Sequence, residues 1–357
     1  MRIAILSVTT NGAILADRLA KALTGQIDLY AKAGRDGGVP SQNYDSLSRL
    51  IDSIYHVYDG LVFIMATGIV VRVIAPHIRD KRFDPAVVVM DEAGENAISL
   101  LAGHIGGANE LAKVIGRAIG ARPVITTATD VVNKPAADIL AIKLGLEIEP
   151  FEDLKSVNAA IANNERVSFF VDESLATHGR YVQMANDMGV GLLSMDNLAQ
   201  VDKYDAAAVI TDKDLYMVKP HVFLRPGTLA IGLGCRKGAT SAEIYSALDD
   251  ACRKIGRSKR SIAVIGTTVA KEEEIGLLAV VQQMAIPMEV FSNEELQACI
   301  DKYKLETSAF VQDQIGVGNI CEPAALLGGR AEELLLGKTI YEKVTIAIAE
   351  VKYRWWE

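Results

Sequence analysis

Leu101-Ala102-Gly103-His104-Ile105-Gly106-Gly107-Ala108-Asn109-Glu110 is the stretch on which the reading of this chain turns. An apolar run, Ala97 to Leu101, precedes it and reads as a strand. Glu110 to Ile119 follows, with apolar residues at helical spacing. A strand, a glycine-rich turn and a helix start therefore meet at one histidine. Glycines let the backbone approach a ligand closely. A helix N-terminus offers N–H groups to an anion or an oxyanion. An imidazole placed there can accept a proton beside those donors.

The same alternation extends outward. Strands are expected at Arg2–Val8, Ile27–Ala31, Gly60–Ala66, Ala86–Met90, Asn96–Leu101 and Pro123–Thr127. Helices are expected at Asn11–Leu23, Asp45–Tyr55, Ile69–Ala75 and Glu110–Ile119. Such a pattern implies a multi-domain α/β protein with largely parallel sheets. Small polar residues fill the loops Thr9–Gly12, Thr67-Gly68, Gly103–Gly107 and Thr126–Asp130. Any one of them is explained by turns and helix caps. Ligands of open α/β sheets bind outside the carboxyl ends of strands, so the four together are expected to line one crevice.

Three domains are expected. Residues 1–133 form an N-terminal α/β domain carrying the Gly-His-x-Gly-Gly loop, 134–225 a middle linking segment, and 226–357 a C-terminal α/β domain. The middle segment shows helices at Ala136–Leu144 and Phe151–Ala162 and a strand at Val167–Val171. Val209–Thr211 and Leu215–Val218 could pair as a hairpin around Asp212-Lys213-Asp214. It carries no chemical signature. The last segment restarts with a strand at Thr228–Cys235. Thr240 with Glu243, and Ser292 with Glu295, are capping boxes that open helices. Strands at Pro287–Phe291 and Val344–Val351 complete it.

Composition narrows the function. Half of the 357 residues are hydrophobic and 23% are charged, with a formal net charge of −8. A nucleic-acid binder would usually carry a basic face. An anionic small molecule is still compatible, through a local basic pocket. Four cysteines without a CxxC pair read as reduced thiols of a cytoplasmic protein. Met1–Ser7 reads as a first strand, not a signal peptide. The longest apolar stretch, Gly60 to Val71, is broken by Thr67-Gly68 and closed by Arg72, so no membrane span is expected. The five histidines lack HExxH or HxH spacing, and no protein-held metal is expected. Gly232–Gly238 lacks the spacing of a phosphate loop. Cys235, beside Arg236 and Lys237, reads as a buried structural thiol.

The remaining candidates gather around His104. Asp91 and Glu92 sit in the turn of the hairpin that leads to it and could orient the imidazole, although solvated turn residues are the plainer reading. Gly106 and Gly107 N–H groups are candidate oxyanion donors. Thr67-Gly68 opens a helix whose next turn carries Arg72. With Arg79, Lys81 and Arg82 this could hold substrate carboxylates.

Taken together, Ala66–Arg72, Asp84–Gly94, Ile98–Ala112 and Pro123–Asp130 resemble the cobalt-precorrin 5A hydrolase family, the CbiG type of anaerobic cobalamin biosynthesis. Ile231–Gly238, Lys271–Glu273 and Val317–Leu326 resemble its C-terminal domain, with Pro323 a departure from the more usual wording. The resemblance covers nearly the whole chain and is weakest over 134–225. It implies a hydrolase that opens a δ-lactone joining the ring A acetate to the meso carbon C20 of a cobalt-bound precursor. C20 and its methyl then leave as acetaldehyde, giving cobalt-precorrin 5B. Cobalt travels with the substrate, so no cofactor of the protein's own is implied.

On that chemistry, His104 is the expected base and Gly106 and Gly107 the oxyanion cradle, with Glu92 or Asp91 orienting His104. Thr127 or Thr129 would bond the departing C20 hydroxyl, and Asp130 would shuttle protons. Gly103, Asn109, Thr67, Gly68 and Arg72 would contact the substrate, and Gly234, Arg236 and Lys237 would close over the macrocycle. The expected partner is the anionic cobalt-tetrapyrrole, with no nucleic acid and no membrane. A homodimer and transient contacts with neighbouring pathway enzymes stay open. A non-catalytic corrinoid carrier is the competing reading. A serine hydrolase of another ester is disfavoured, since no G-x-S-x-G elbow is present.

Overall fold

The computed structural model describes residues 1–80, 82–127 and 136–352. The chain divides into two compact units, Met1–Ile142 with Ile161–Asn164, and Lys143–Ala160 with Glu165–Glu357.

The first unit is built on seven strands: β1 (Arg2–Ser7), β2 (Gln26–Lys32), β3 (Gln42–Tyr44), β4 (Gly60–Ile64), β5 (Ala86–Met90), β6 (Asn96–Leu101) and β7 (Arg122–Val124). Their order is β3-β2-β1-β4-β5-β6-β7. Helices α1 (Thr10–Ala22) and α4 (Ala108–Ile119) pack on one face, over Ile3, Ile5, Val62, Ile64, Val88 and Met90. Helices α2 (Leu47–Ile54) and α3 (Thr67–Ile74) pack on the other, over Ala4, Leu6, Leu61, Phe63, Val87 and Val89. Every residue of β4 and β5 is buried, as two-sided coverage requires. A further helix, α5 (Ala137–Leu144), follows.

β1 to β5 run parallel. β6 is antiparallel to β5, and β7 runs with β6. The cause is local: Asp91–Glu95 is long enough for a hairpin and far too short for the crossover that a parallel neighbour needs. This reversal corrects the expectation of one crevice. The loops after β1 and β4 share a sheet edge with the β5–β6 turn. The loops after β6 and β7 lie at the opposite edge, about 17 Å away along five strand residues, with the entries to β4 and β5.

The second unit holds two five-stranded sheets. The first has the order β10-β9-β11-β12-β8, with β8 (Glu147–Glu149), β9 (Val167–Val171), β10 (Leu192–Ser194), β11 (Ala206–Ile210) and β12 (His221–Arg225). β11 and β12 are parallel, so the expected hairpin does not form. Val222, Phe223 and Leu224 fill the sheet, whereas Tyr216 and Val218 stay exposed. The second sheet has the order β15-β14-β13-β17-β16, with β13 (Leu229–Cys235), β14 (Ile262–Thr268), β15 (Met288–Phe291), β16 (Leu334–Ile340) and β17 (Val344–Glu350). Both expected capping boxes form, at Thr240 and Ser292. Among the described residues no helix is long and apolar enough to cross a membrane.

Candidate active site

The turn between β6 and α4 is held by its own backbone. Gly107 N–H donates to His104 O at 3.0 Å, Ala108 N–H to Ala102 O at 3.1 Å, and Asn109 N–H to Gly103 O at 3.0 Å. The glycines serve this turn directly. Gly107 has φ +88, in the left-handed region. A Cβ at Gly106 would lie 2.3 Å from Ala102 Cβ and 2.9 Å from Ala102 O. Ala102 itself holds φ +56, a conformation that costs a residue with a side chain. The expected cradle is corrected at one position: Gly107 N–H closes the turn, whereas Gly106 N–H is not one of the turn's bonds among the described residues.

His104 is packed into the protein by this loop. Its Nδ1 lies 3.1 Å from Asp138 Oδ2, and the two side chains are 9% and 4% exposed. Asp138 stands in the first turn of α5 and its other oxygen accepts the Ile139 N–H at 3.0 Å. Sequence reasoning missed Asp138. The signal was present: an acid inside the apolar run Ala136-Ala137-Asp138-Ile139-Leu140 belongs to a buried face, where acids are found paired.

Asn109, expected to touch substrate, is 5% exposed. Its Oδ1 accepts from Ser99 Oγ at 2.7 Å and its Nδ2 donates to Thr127 Oγ1 at 3.0 Å. It ties β6, α4 and the loop after β7 together, which brings Thr127 to the His104 edge. Asp84, at the entry to β5, is buried and accepts the Arg79 N–H at 3.0 Å. Burial, reinforced by the Asp84 charge, pushes the Tyr55 phenol well above its ordinary value.

Asp91 and Glu92 do not supply the carboxylate at His104. The hairpin register pairs Met90 with Ala97 and Val87 with Leu101, so its turn and its exit lie at opposite edges. Asp91 accepts N–H groups from Glu95 at 3.1 Å and Asn96 at 2.8 Å. Burial pushes its carboxyl up, but these turn bonds outweigh it and hold the group below the usual range. Glu92 accepts from Thr9 Oγ1 at 2.6 Å. Thr67, Gly68 and Arg72 belong to that far edge too, and Arg72 Nη1 donates to Gly68 O at 2.9 Å. Thr129, Asp130 and Lys81 lie outside the described residues.

In the second unit, Gly234 is buried within β13, and a Cβ there would meet Thr345 Oγ1 at 2.7 Å. The absence of a side chain here permits close packing against β17. Arg236 and Lys237 are exposed. Lys237 lines a cavity of about 880 Å³ between the loops after β13 and β14, with Thr240, Lys271 and Glu274. Lys271 and Glu274 pair at 3.1 Å. Burial pushes the Cys235 thiol up, as a structural cysteine requires.

Comparison with known proteins gives three family models in order along the chain. Cobalamin synthesis G N-terminal matches residues 49–130, Cobalamin biosynthesis central region 135–226, and Cobalamin synthesis G C-terminus 229–349. The cobalt-precorrin-5A hydrolase of Priestia megaterium is 33% identical over 98% of this chain and 95% of its own length. That of Salmonella typhimurium is 33% identical over 97% of each chain. Protein CobE of a Sinorhizobium species is 27% identical over 34% of this chain and 79% of its own length. A third of its residues are shared end to end with two such enzymes, and the chain belongs to the cobalt-precorrin-5A hydrolase family.

Proposed function

We propose that the chain opens the δ-lactone of cobalt-precorrin 5A and releases C20 with its methyl as acetaldehyde, with His104 as the base. The observation that carries the placement of the chemistry is the buried His104–Asp138 contact on the β6–α4 loop. Its support as a reaction comes from the full-length relatives of that name.

Water adds to the lactone carbonyl while His104 takes its proton, forming a tetrahedral oxyanion. Gly106 N–H is the donor assigned to that charge, since the N–H groups of Gly107, Ala108 and Asn109 are spent within the turn, and a preorganised donor of this kind contributes about 10²–10³-fold. The C20 oxygen then leaves with a proton. In the second step the C20 hydroxyl loses its proton and the bond from C20 to the macrocycle breaks. The electron pair stays on the ring carbon, which takes up a proton, and the two-carbon unit departs as the aldehyde. Water is the only co-reactant. Thr127 is the described hydroxyl for the C20 oxygen, and Asp130 is the assigned proton shuttle. Cobalt enters and leaves within the substrate, and the protein is assigned no cofactor of its own. The cytoplasm is the setting that suits a labile intermediate of this kind.

Acetaldehyde release from the cobalt-bound lactone under anaerobic conditions tests the reading. Catalytic release is expected, and His104→Ala should lower turnover by about 10²-fold or more. Binding of the precursor with no acetaldehyde would leave a carrier in its place.

A further inference from the structure

We infer that Asp138 is a positioning residue whose carboxylate fixes His104 as the Nδ1–H tautomer and so makes Nε2 the nitrogen that takes the proton. The inference rests on the reading of His104 as the base and adds the residue that sets its proton. Asp138 Oδ2 and His104 Nδ1 are 3.1 Å apart, and both side chains are buried. Asp138 Oδ1 accepts the Ile139 N–H, and the first turn of α5 favours a negative charge. An ionised carboxylate has no proton to give, so the contact to Nδ1 is a hydrogen bond only if Nδ1 carries the hydrogen. A neutral imidazole so held keeps its lone pair on Nε2. Leaving a buried carboxylate without this partner is unfavourable, and that penalty biases the tautomer. When Nε2 takes the proton from water, the imidazolium forms against an opposite charge already in place. Burial assists: the His104 side chain is 9% exposed, and close packing opposes a flip that would turn its other nitrogen towards α5.

Nitrogen NMR of the full-length protein with 15N-labelled histidine tests this, with His104→Gln identifying the His104 signals. At pH 8, above the ordinary histidine range, Nδ1 is expected to show the protonated shift and Nε2 the lone-pair shift. Asp138→Asn presents an amide N–H to Nδ1 and should swap the two. Its kcat should fall by about 10²–10⁴-fold, with KM within threefold. A merely structural role would not exchange the nitrogens. Protonated Nε2 in the wild-type protein overturns the inference, whether or not a variant folds well. So does an Asp138→Asn enzyme that swaps tautomer and keeps kcat within threefold. Normal turnover by His104→Gln would remove the base and the inference with it, an outcome that the wild-type nitrogen shifts cannot produce and that therefore marks the failure of the functional reading.

Discussion

Two contacts between a carboxylate and a nitrogen base, one in each unit, differ in kind: Arg225 and Glu149 are 2% and 30% exposed, His104 and Asp138 9% and 4%. In the second unit Arg225 donates to Glu149 at 2.7 Å and to the carbonyls of Thr211 at 3.0 Å and Lys213 at 2.7 Å. Glu149 also accepts from Ser258 at 2.7 Å, which joins β12 and β8 to the segment leading into β14. Burial pushes the Arg225 guanidinium down from its ordinary value, and Glu149 pushes it back. In the first unit Asp138 meets an imidazole on a loop that keeps Ala102 left-handed. An arginine keeps its proton under any ordinary condition, whereas a histidine exchanges one near neutrality. Burial of charge therefore does not mark a site by itself. A group that can change its protonation, held on a loop whose backbone is strained, is what separates the His104 pair from the Arg225 pair.

The largest expected effect falls on the structural pair. Arg225→Ala removes the guanidinium from Glu149, which keeps only Ser258, and takes a donor from the Thr211 and Lys213 carbonyls, a change worth about 3 kcal/mol. Hydrogen exchange should quicken across β12 and β14 while the amides of β5 and β6 keep their protection. Unchanged exchange in the second unit would mean that the junction is held by something else. Gly106→Ala comes next. Its methyl would overlap Ala102 Cβ, and overpacking of this kind costs about 1–3 kcal/mol. Here the loss should show in turnover more than in melting temperature, because the tightest clashes fall within the His104 loop, with the Asp84 carbonyl next at 3.2 Å. A variant with full turnover would show that the loop can open without moving the imidazole.

Much of this was legible in the sequence, and what was not has physical causes. β4 and β5 are continuous apolar runs, and a strand buried on both faces reads clearly. The capping boxes at Thr240 and Ser292 formed because their bonds are local. The His104 turn was visible from its glycines. Its carboxylate was not, because Asp138 is brought in from 34 residues away by tertiary packing. Strand direction was also hidden. Nothing in Asn96–Leu101 says which way it runs. Only the shortness of Asp91–Glu95 does, and that length by itself is enough to put Asp91, Glu92, Thr67 and Arg72 at the far edge.

That division of edges yields the smallest effect and the sharpest use of the comparison. Arg72 lies with Glu92 and Thr9, and its guanidinium returns to its own helix at Gly68. Arg79 lies beside Asp84, at the edge that His104 occupies. If the macrocycle is held at the His104 edge, Arg72→Ala should alter KM by less than about threefold, within the reach of an exposed charge. Arg79→Ala should raise KM by more, since a cation near a carboxylated substrate gains a charge-assisted bond. The reverse order would require the substrate to reach about 17 Å, the length of a five-residue strand, to the edge where the β1 and β4 loops lie. It would also return Thr67 and Gly68 to the site, and the orientation of β6 would then cease to decide which loops do the chemistry.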